Sequence, residues 1–330
     1  MKNIVVIGGG TGTYTVLLGL KKYPVGLNVI VSMTDSGGSN RVIRDEFGLL
    51  PTSDLRQCMV ALSSEKPSEL VRELFTYRFN QGTGISGMSF GNLFMAALTD
   101  IYGSQDKAID KTCEFLDVQG QIIPVTFENT NLVARYDNGK QVLGEHFIDE
   151  PDEDIAKHRI VELSVFPPAS ANKKALESIT DAELIVLGPG DLYTSVLCNL
   201  VIDDIKGAIK KSKAKVVYVL NLMTRYGQTN DYSAKDHLHE MEKYLGEDVV
   251  DYIIVNNSAK FPKDVLVRYK EETAFPVKDD LDKDFKTKVI LGNFIGDKVY
   301  ERSTSDKLVR SLIRHDSDKL AKAIFSLLIN

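Results

Sequence analysis

The chain opens MKNIVVIGGGTGTY (residues 1–14), an apolar run that stops at three consecutive glycines. Ile4, Val5, Val6 and Ile7 are apolar without a break. A short continuous stretch of this kind is the pattern of a strand covered on both faces, as in a parallel sheet. Gly8, Gly9, Gly10 and Gly12 then permit a tight turn and let backbone amides approach another group closely. From Thr13 to Leu20 the apolar residues Val16, Leu17 and Leu20 follow helical spacing. Strand, glycine turn and helix N-terminus together predict an anion cradle built from Gly8, Gly9, Gly10, Thr11, Gly12 and Thr13.

Two well-known versions of this turn do not fit. A P-loop needs a lysine followed by Ser or Thr after its last glycine, where this chain has Thr13-Tyr14. The dinucleotide fingerprint needs a third glycine where Thr13 stands, which argues against an NAD-dependent oxidoreductase. Composition narrows the choice further. With 330 residues and 43% hydrophobic content the chain can bury a large core, as one big domain or two. A net charge of −6 with no basic tract argues against a nucleic-acid partner. The first strand starts directly after Lys2 and no apolar run reaches about 18 residues, so a cytoplasmic protein without a membrane span is expected. Cys58, Cys113 and Cys198 are odd in number and widely spaced, which predicts three buried thiols.

The opening pattern returns in chemistry, though not as a repeat. Leu27 to Met33 is a second apolar run, and it ends in Asp35, Ser36, Gly37, Gly38 and Ser39. Glu183 to Leu187 runs into Gly188, Pro189 and Gly190, followed by helical spacing from Leu192 to Ile202. Val216 to Leu220 ends at Asn221 and Thr224, and Tyr252 to Val255 ends at Asn256 and Asn257. Helices are predicted at 53–62, 67–78, 92–102, 106–117, 172–179, 202–212 and 233–245. Strands alternating with helices predict a Rossmann-like, doubly wound, mostly parallel sheet. Parallel strands point their carboxyl ends the same way, so all of these polar tails are expected to line one crevice.

Residues 121–168 break the alternation with period-2 stretches and an Asp137-Asn138-Gly139 turn, which predicts a small antiparallel β insertion. The mixed-charge segment 278–288 reads as a solvated loop. Gly82, Gly84, Gly87 and Gly91 loosen a segment feeding a helix near Asn92, either a second anion site or a surface loop. Asp54 and Arg56, both candidate ligand contacts, open a helix after Pro51, where Asp54 is either a ligand-side carboxylate or a helix-capping one. His146, His158, His237 and His239 read as structural or surface residues.

Taken in order, GGGTGTYTVLLGLKKYP (8–24), DSGGS (35–39), RDEFGLLPTSDLRQCMVALS (44–63), FGNLFMAALT (90–99), LGPGDLYTSVLCNL (187–200), VYVLNLMT (217–224) and RHDSDKLA (314–321) resemble the blocks of the gluconeogenesis factor (YvcK-like) family. That family lies in the CofD-like superfamily, whose enzyme member is 2-phospho-L-lactate transferase, and the match covers nearly the whole chain, which implies a single CofD/YvcK-like α/β domain over residues 1–330. The resemblance implies a cytoplasmic protein that binds a UDP-sugar or related nucleotide and supports cell-wall synthesis and cell shape on gluconeogenic carbon sources. It implies a protein partner in cell-wall regulation, and it is compatible with a homodimer. Gly8 to Gly12 would face the diphosphate, Gly188 to Gly190 and Asn221 the nucleotide, and Gly91-Asn92 the crevice, while Tyr269 and Arg314 match UDP-sugar contacts. Arginine suits a phosphate because its planar donors match the oxygens.

One departure bears on chemistry. Relatives carry paired aspartates where this chain reads Asp35-Ser36, so a magnesium site would rest on Asp35 and Asp54. The favoured expectation is a nucleotide-sugar-binding regulator. The alternative is a CofD-like, magnesium-dependent transferase acting on a nucleoside diphosphate-linked donor. On this expectation, Ser36→Asp should restore the carboxylate pair and make ligand binding respond to magnesium.

Overall fold

The computed structural model describes residues 1–64, 69–258, 260–281, 286–297 and 311–329. The first three strands are β1 (Lys2–Gly8), β2 (Val25–Val31) and β3 (Gln121–Pro124). An antiparallel set follows, β4 (Asn131–Tyr136), β5 (Gln141–Leu143) and β6 (Ile160–Phe166). The chain then returns through β7 (Leu184–Leu187), β8 (Lys215–Val219), β9 (Tyr252–Asn256) and β10 (Lys288–Gly292). Seven strands form one parallel sheet in the order β10-β9-β8-β7-β1-β2-β3. Ile4 to Ile7 are fully buried, as are Leu184 to Leu187. Helices cover both faces, and that coverage is why these strands carry unbroken apolar runs.

Strand order reverses between β1 and β7. After β1 the chain steps outward through β2 and β3, then crosses back to β7 on the other side of β1 and steps outward again. Ile7 stands level with both Ile30 and Leu187, so the three strands end together and their loops emerge side by side. Ligands of open α/β sheets bind at such a switch point.

Helix α1 (Gly10–Leu20) begins three residues before the expected start. It packs against both the helix Ser317–Ile329 and α3, introduced below. A Cβ on Gly19 would lie 2.0 Å from the Ser317 carbonyl oxygen, so the two helices meet where only glycine fits. Between β2 and β3 run α2 (Gly38–Phe47), α3 (Ser53–Leu62), α4 (Glu69–Thr76), α5 (Phe90–Tyr102) and α6 (Gln105–Phe115). The expected helix over 67–78 has its first two residues outside the described set.

Several expectations need correction. β3 pairs with β2 at the edge of the main sheet, so Gln121–Pro124 belongs there and the antiparallel insertion spans Asn131–Phe166. Tyr136 N–H donates to the Lys140 carbonyl (2.9 Å) around the Asp137-Asn138-Gly139 turn, with Gly139 at φ +81°. Residues Leu192–Leu197 form a π-helix, continued by a helical turn at Cys198–Leu200. The mixed-charge segment 278–288 reaches β10 only at Lys288, and its residues 282–285 lie outside the described set; β10, which the sequence reading does not mark as a strand, is an edge strand with Val289 and Leu291 exposed. Cys58 and Cys198 are buried while Cys113 is half-buried, and burial pushes all three thiols up, Cys113 and Cys198 to about 12. Beyond β8, Leu222, Val265, Tyr269, Ala274, Ile295, Leu312 and Ile313 form a small separate core that carries one wall of the site.

Candidate functional site: a cleft at the strand switch point

A cleft of about 440 Å³ opens above the carboxyl ends of β8, β7, β1 and β2. Gly9, Gly10 and Gly12 border it, and each of the opening glycines meets a constraint that a side chain would break. Gly10 adopts a left-handed φ of +64°. A Cβ on Gly9 would lie 2.4 Å from Asp54 Oδ2, and one on Gly8 would lie 2.5 Å from Thr13 Oγ1. A Cβ on Gly12 would lie 2.0 Å from the Pro189 carbonyl oxygen, so here the loops after β1 and β7 are pressed backbone to backbone. Asn221 Oδ1 accepts from the Gly190 N–H (3.2 Å) and ties the loop after β7 to the end of β8.

Helix α1 presents its N-terminus to the cleft, with Gly9 at its N-cap and no acidic residue in its first turn. The first turns of α2 and α3 also border the cleft, through Gly38, Ser39, Ser53 and Asp54. Each such end carries partial positive charge and N–H groups without helical partners.

Against this stand the carboxylates Asp35, Asp54, Glu145, Asp149 and Asp191. Asp35 Oδ1 accepts from Gly37 N–H (2.9 Å) and Oδ2 from Asn40 Nδ2 (2.6 Å). Asn40 Oδ1 in turn accepts from Thr52 N–H, Ser53 N–H and Ser53 Oγ. Behind it, Asn92 Nδ2 donates to Ser39 Oγ (2.9 Å) and Ser53 Oγ (3.0 Å), and Arg56 Nε donates to Asn92 Oδ1 (3.1 Å). Arg56 also donates to the Phe75 carbonyl (2.9 Å). Arg56 and Asn92 are thus buried braces one layer behind the cleft, and Gly91 is glycine because a Cβ would lie 2.4 Å from Arg56 Cδ.

The antiparallel insertion supplies the opposite wall. Ser36 N–H donates to Glu145 Oε2 (3.3 Å), and His146 N–H donates to Ser36 Oγ (3.1 Å). Ser36 therefore caps the short helix Glu145–Asp149 and does not itself border the cleft. Burial, with Asp35 and Asp149 nearby, raises the Glu145 carboxyl well above the usual range. Asp149 accepts from Arg225 (3.0 Å) and from Gln228 Nε2 (2.9 Å). Burial pushes its carboxyl up to about 7 against the pull of Arg225. Burial works against the Arg225 charge, but Asp149, Asp191 and Glu150 outweigh it and the guanidinium is held more firmly charged.

At the β8 end, Tyr269 Oη accepts from the Leu312 N–H (2.8 Å) and Ile313 N–H (3.2 Å), which holds the segment carrying Arg314 at the cleft. Thr224 exchanges hydrogen bonds with Phe275, N–H to carbonyl at 2.7 Å and N–H to Oγ1 at 2.9 Å. Burial lowers the neighbouring His315 to about 4, so it is neutral at physiological pH.

Of the residues read from the sequence, Gly9, Gly10, Thr11, Gly12, Asp35, Gly37, Gly38, Ser39, Asp54, Pro189, Gly190, Asn221, Thr224, Tyr269 and Arg314 border the cleft. Gly8, Thr13, Ser36, Arg56, Gly91, Asn92 and Gly188 do not. His146, expected to be structural or surface, borders it, while His237 is fully buried and His158 pairs with Asp137 at the surface. Sequence reasoning missed Glu145, Asp149, Asp191, Arg225 and Arg78. Asp191, next to Gly190, was the one within reach of a local signal.

Magnesium requires a donor set. Among the described residues no three Asp, Glu, His or Cys side chains are grouped to hold a metal ion. Both Asp35 oxygens already accept hydrogen bonds. The protein alone offers Asp35 and Asp54, which suits only an ion whose remaining ligands are phosphate oxygens and water.

Comparison with known proteins agrees with this architecture. The family model described as 2-phospho-L-lactate transferase CofD matches residues 4–295. A protein of Aquifex aeolicus, provisionally named a gluconeogenesis factor, is 40% identical over 99% of this chain and 97% of its own. The gluconeogenesis factor of Bacillus subtilis is 35% identical over 98% of each chain. A crystal structure of a Bacillus halodurans protein superposes with a TM-score of 0.88 at 36% identity, covering 98% of this chain and 99% of that one. No helix among the described residues is long and apolar enough to cross a membrane. With its strand order, switch-point cleft and full-length similarity in accord, the chain belongs to the CofD family, among the gluconeogenesis factors.

Proposed function

We propose that this protein binds a nucleoside diphosphate carrying a substituent, of the UDP-sugar type, and acts as a cytoplasmic gluconeogenesis factor that passes the ligand state to a partner in cell-wall synthesis and shape. The observation that carries the reading is the glycine-opened N-terminus of α1 at the strand switch point, with Arg314 and Arg225 lining the same cleft. Backbone N–H groups and guanidinium donors are what a diphosphate requires. The apolar small core around Tyr269 offers the nucleoside a surface beside those donors.

Binding is favoured over transfer because Ser36 Oγ is committed to capping the insertion helix and the carboxylates around it are hydrogen-bonded or raised by burial. A magnesium ion bound with the ligand would neutralise diphosphate charge, with Asp35 and Asp54 as its protein ligands. Isothermal titration with UDP-glucose, GDP and NAD tests the reading, and UDP-glucose should bind most tightly. Arg314→Ala should weaken that binding by about 1.5–3 kcal/mol, the range for hydrogen bonds to charged groups, with the melting temperature unchanged. Normal binding with earlier melting would reassign Arg314 to structural support.

A further inference from the structure

Residues 145–156 of the insertion run as a strap along the cleft, which Glu145, His146, Asp149, Glu150 and Pro151 line. The anchors of this strap lie on loops of the main sheet. At one end Ser36, in the loop after β2, bonds to Glu145 and to the His146 N–H. At the other end Arg225 Nη2, in the loop after β8, donates to the Asp149 carboxylate (3.0 Å) and to its carbonyl (3.3 Å). Gln228 Nε2 donates to the second Asp149 oxygen (2.9 Å), and Asn230 Nδ2 donates to the Ala156 carbonyl (2.5 Å). The three-stranded sheet is held separately, with Lys243 Nζ donating to the Val161 carbonyl (2.7 Å) and Leu163 N–H to Tyr244 Oη (2.8 Å). A change at Asp149 therefore reaches the strap and leaves the sheet seated.

Arg225 and Asp149 both line the cleft, and their side chains are 20% and 19% exposed, so an anion in the cleft can reach the guanidinium. A diphosphate offers it paired oxygens and more negative charge than one carboxylate does. Once Arg225 turns to the diphosphate, Asp149 keeps Gln228 as a donor but loses its countercharge. It then faces Asp191 from the loop after β7, Asp35 from the loop after β2, and Glu145 and Glu150 from its own strap. His146 on the strap and Glu272 and Arg314 beyond Arg225 are the other titratable or charged groups lining this part of the cleft. Burial raises the Asp149 carboxyl to about 7 even with Arg225 beside it. Loss of the guanidinium and arrival of further negative charge both favour its protonated form.

We propose that Asp149 and the diphosphate compete for Arg225, that Asp149 takes a proton from solvent as it yields the guanidinium, and that the strap then loses its anchor on the β8 side. The inference rests on the diphosphate reading of the cradle and adds how binding there is transmitted to the insertion. UDP-glucose is the probe, because both of its phosphates are diesters that do not titrate near neutral pH. Titration calorimetry of the parent and Asp149→Asn in HEPES and in Tris at about pH 7.5, with magnesium present throughout, counts protons from the dependence of the binding heat on the buffer. The parent should take up about half a proton or more per ligand, and bind at least about fivefold more weakly at pH 8.5 than at pH 6. Asp149→Asn should take up less than about 0.2 proton, and its affinity should change less than about twofold over that range. A merely structural role of Asp149 would move affinity or melting temperature and leave the proton uptake in place. Hydrogen exchange of the parent should be faster at the Ile148 and Glu150 amides once UDP-glucose is added, with β4 and β6 unchanged. A parent that binds no UDP-glucose removes the diphosphate reading and this inference together. Binding without proton uptake, or equal uptake by parent and variant, overturns the competition for Arg225 alone. Unchanged or slower exchange at Ile148 and Glu150 overturns the release of the strap. If Asp149→Asn is unfolded, the proton count and the exchange of the parent decide the same outcomes.

Discussion

Gly12→Ala should be costly for a reason that has nothing to do with backbone conformation. A Cβ at residue 12 would lie 2.0 Å from the Pro189 carbonyl oxygen, 2.6 Å from its carbonyl carbon and 3.2 Å from the Gly190 nitrogen. Comfortable heavy-atom contact begins at about 3.5 Å, so the methyl needs roughly 1.5 Å that the two loops do not leave. The obstacles are backbone atoms, and no rotamer change clears them. Overpacking costs about 1–3 kcal/mol, and rigid neighbours place this case near 3 kcal/mol. Alanine's better helix propensity at this position in α1 returns up to about 1 kcal/mol, leaving roughly 2 kcal/mol of net destabilisation. Gly207, in the helix Ile205–Lys211, is the control: nothing lies within 4 Å of its Cβ position. Gly207→Ala should therefore stabilise by about 0.5–1 kcal/mol. Urea titrations of the parent and both variants, compared at constant m-value, measure the two changes. Because the displaced loops flank the cradle, Gly12→Ala should also weaken nucleotide binding. A Gly12→Ala midpoint within about 0.5 kcal/mol of the parent, with unchanged affinity, would show that the loops after β1 and β7 are not interlocked.

Ser36→Asp should leave magnesium dependence of ligand binding as it is in the parent, contrary to the expectation drawn from the missing aspartate pair. An aspartate can cap His146 as the serine does, and its carboxylate would then be held at the insertion helix beside Glu145; a marked gain in affinity on adding magnesium, seen by calorimetry, contradicts this placement. The Asp149 carboxyl is raised to about 7 by burial, and Glu145 is raised by burial and by Asp35. A carboxyl with a higher pKa folded than unfolded stabilises fully below the unfolded value, about 4, and loses that contribution as pH rises through the folded value. These groups should lower the melting temperature from about pH 4 to about pH 7, and Asp149→Asn should flatten the slope; an unchanged slope in the variant would remove Asp149 as its source.

The amino-acid sequence by itself determined the parts of this protein whose cause is local. Burial on both faces writes a strand as an unbroken apolar run, so β1, β2, β7, β8 and β9 were legible, and with them the parallel sheet and the crevice at its carboxyl edge. The polar, glycine-bent strand ends were legible for the same reason, and most of them do border the cleft. β10 was not, because an exposed edge strand with Val289 and Leu291 facing solvent carries no such signature. The roles of single residues needed the tertiary structure. Gly12 and Pro189 are 177 positions apart, and the need for glycine arises only where their loops meet. Arg56 and Asn92 looked like ligand contacts and are braces, while Ser36 looked like a lost metal ligand and is a cap for a helix 109 residues away. Glu145, Asp149 and Arg78 come from the insertion and from a helix connection, segments with no phosphate-binding pattern of their own. A side chain's chemistry is set by what surrounds it, and at this cleft the surroundings come from chain segments that only folding brings together.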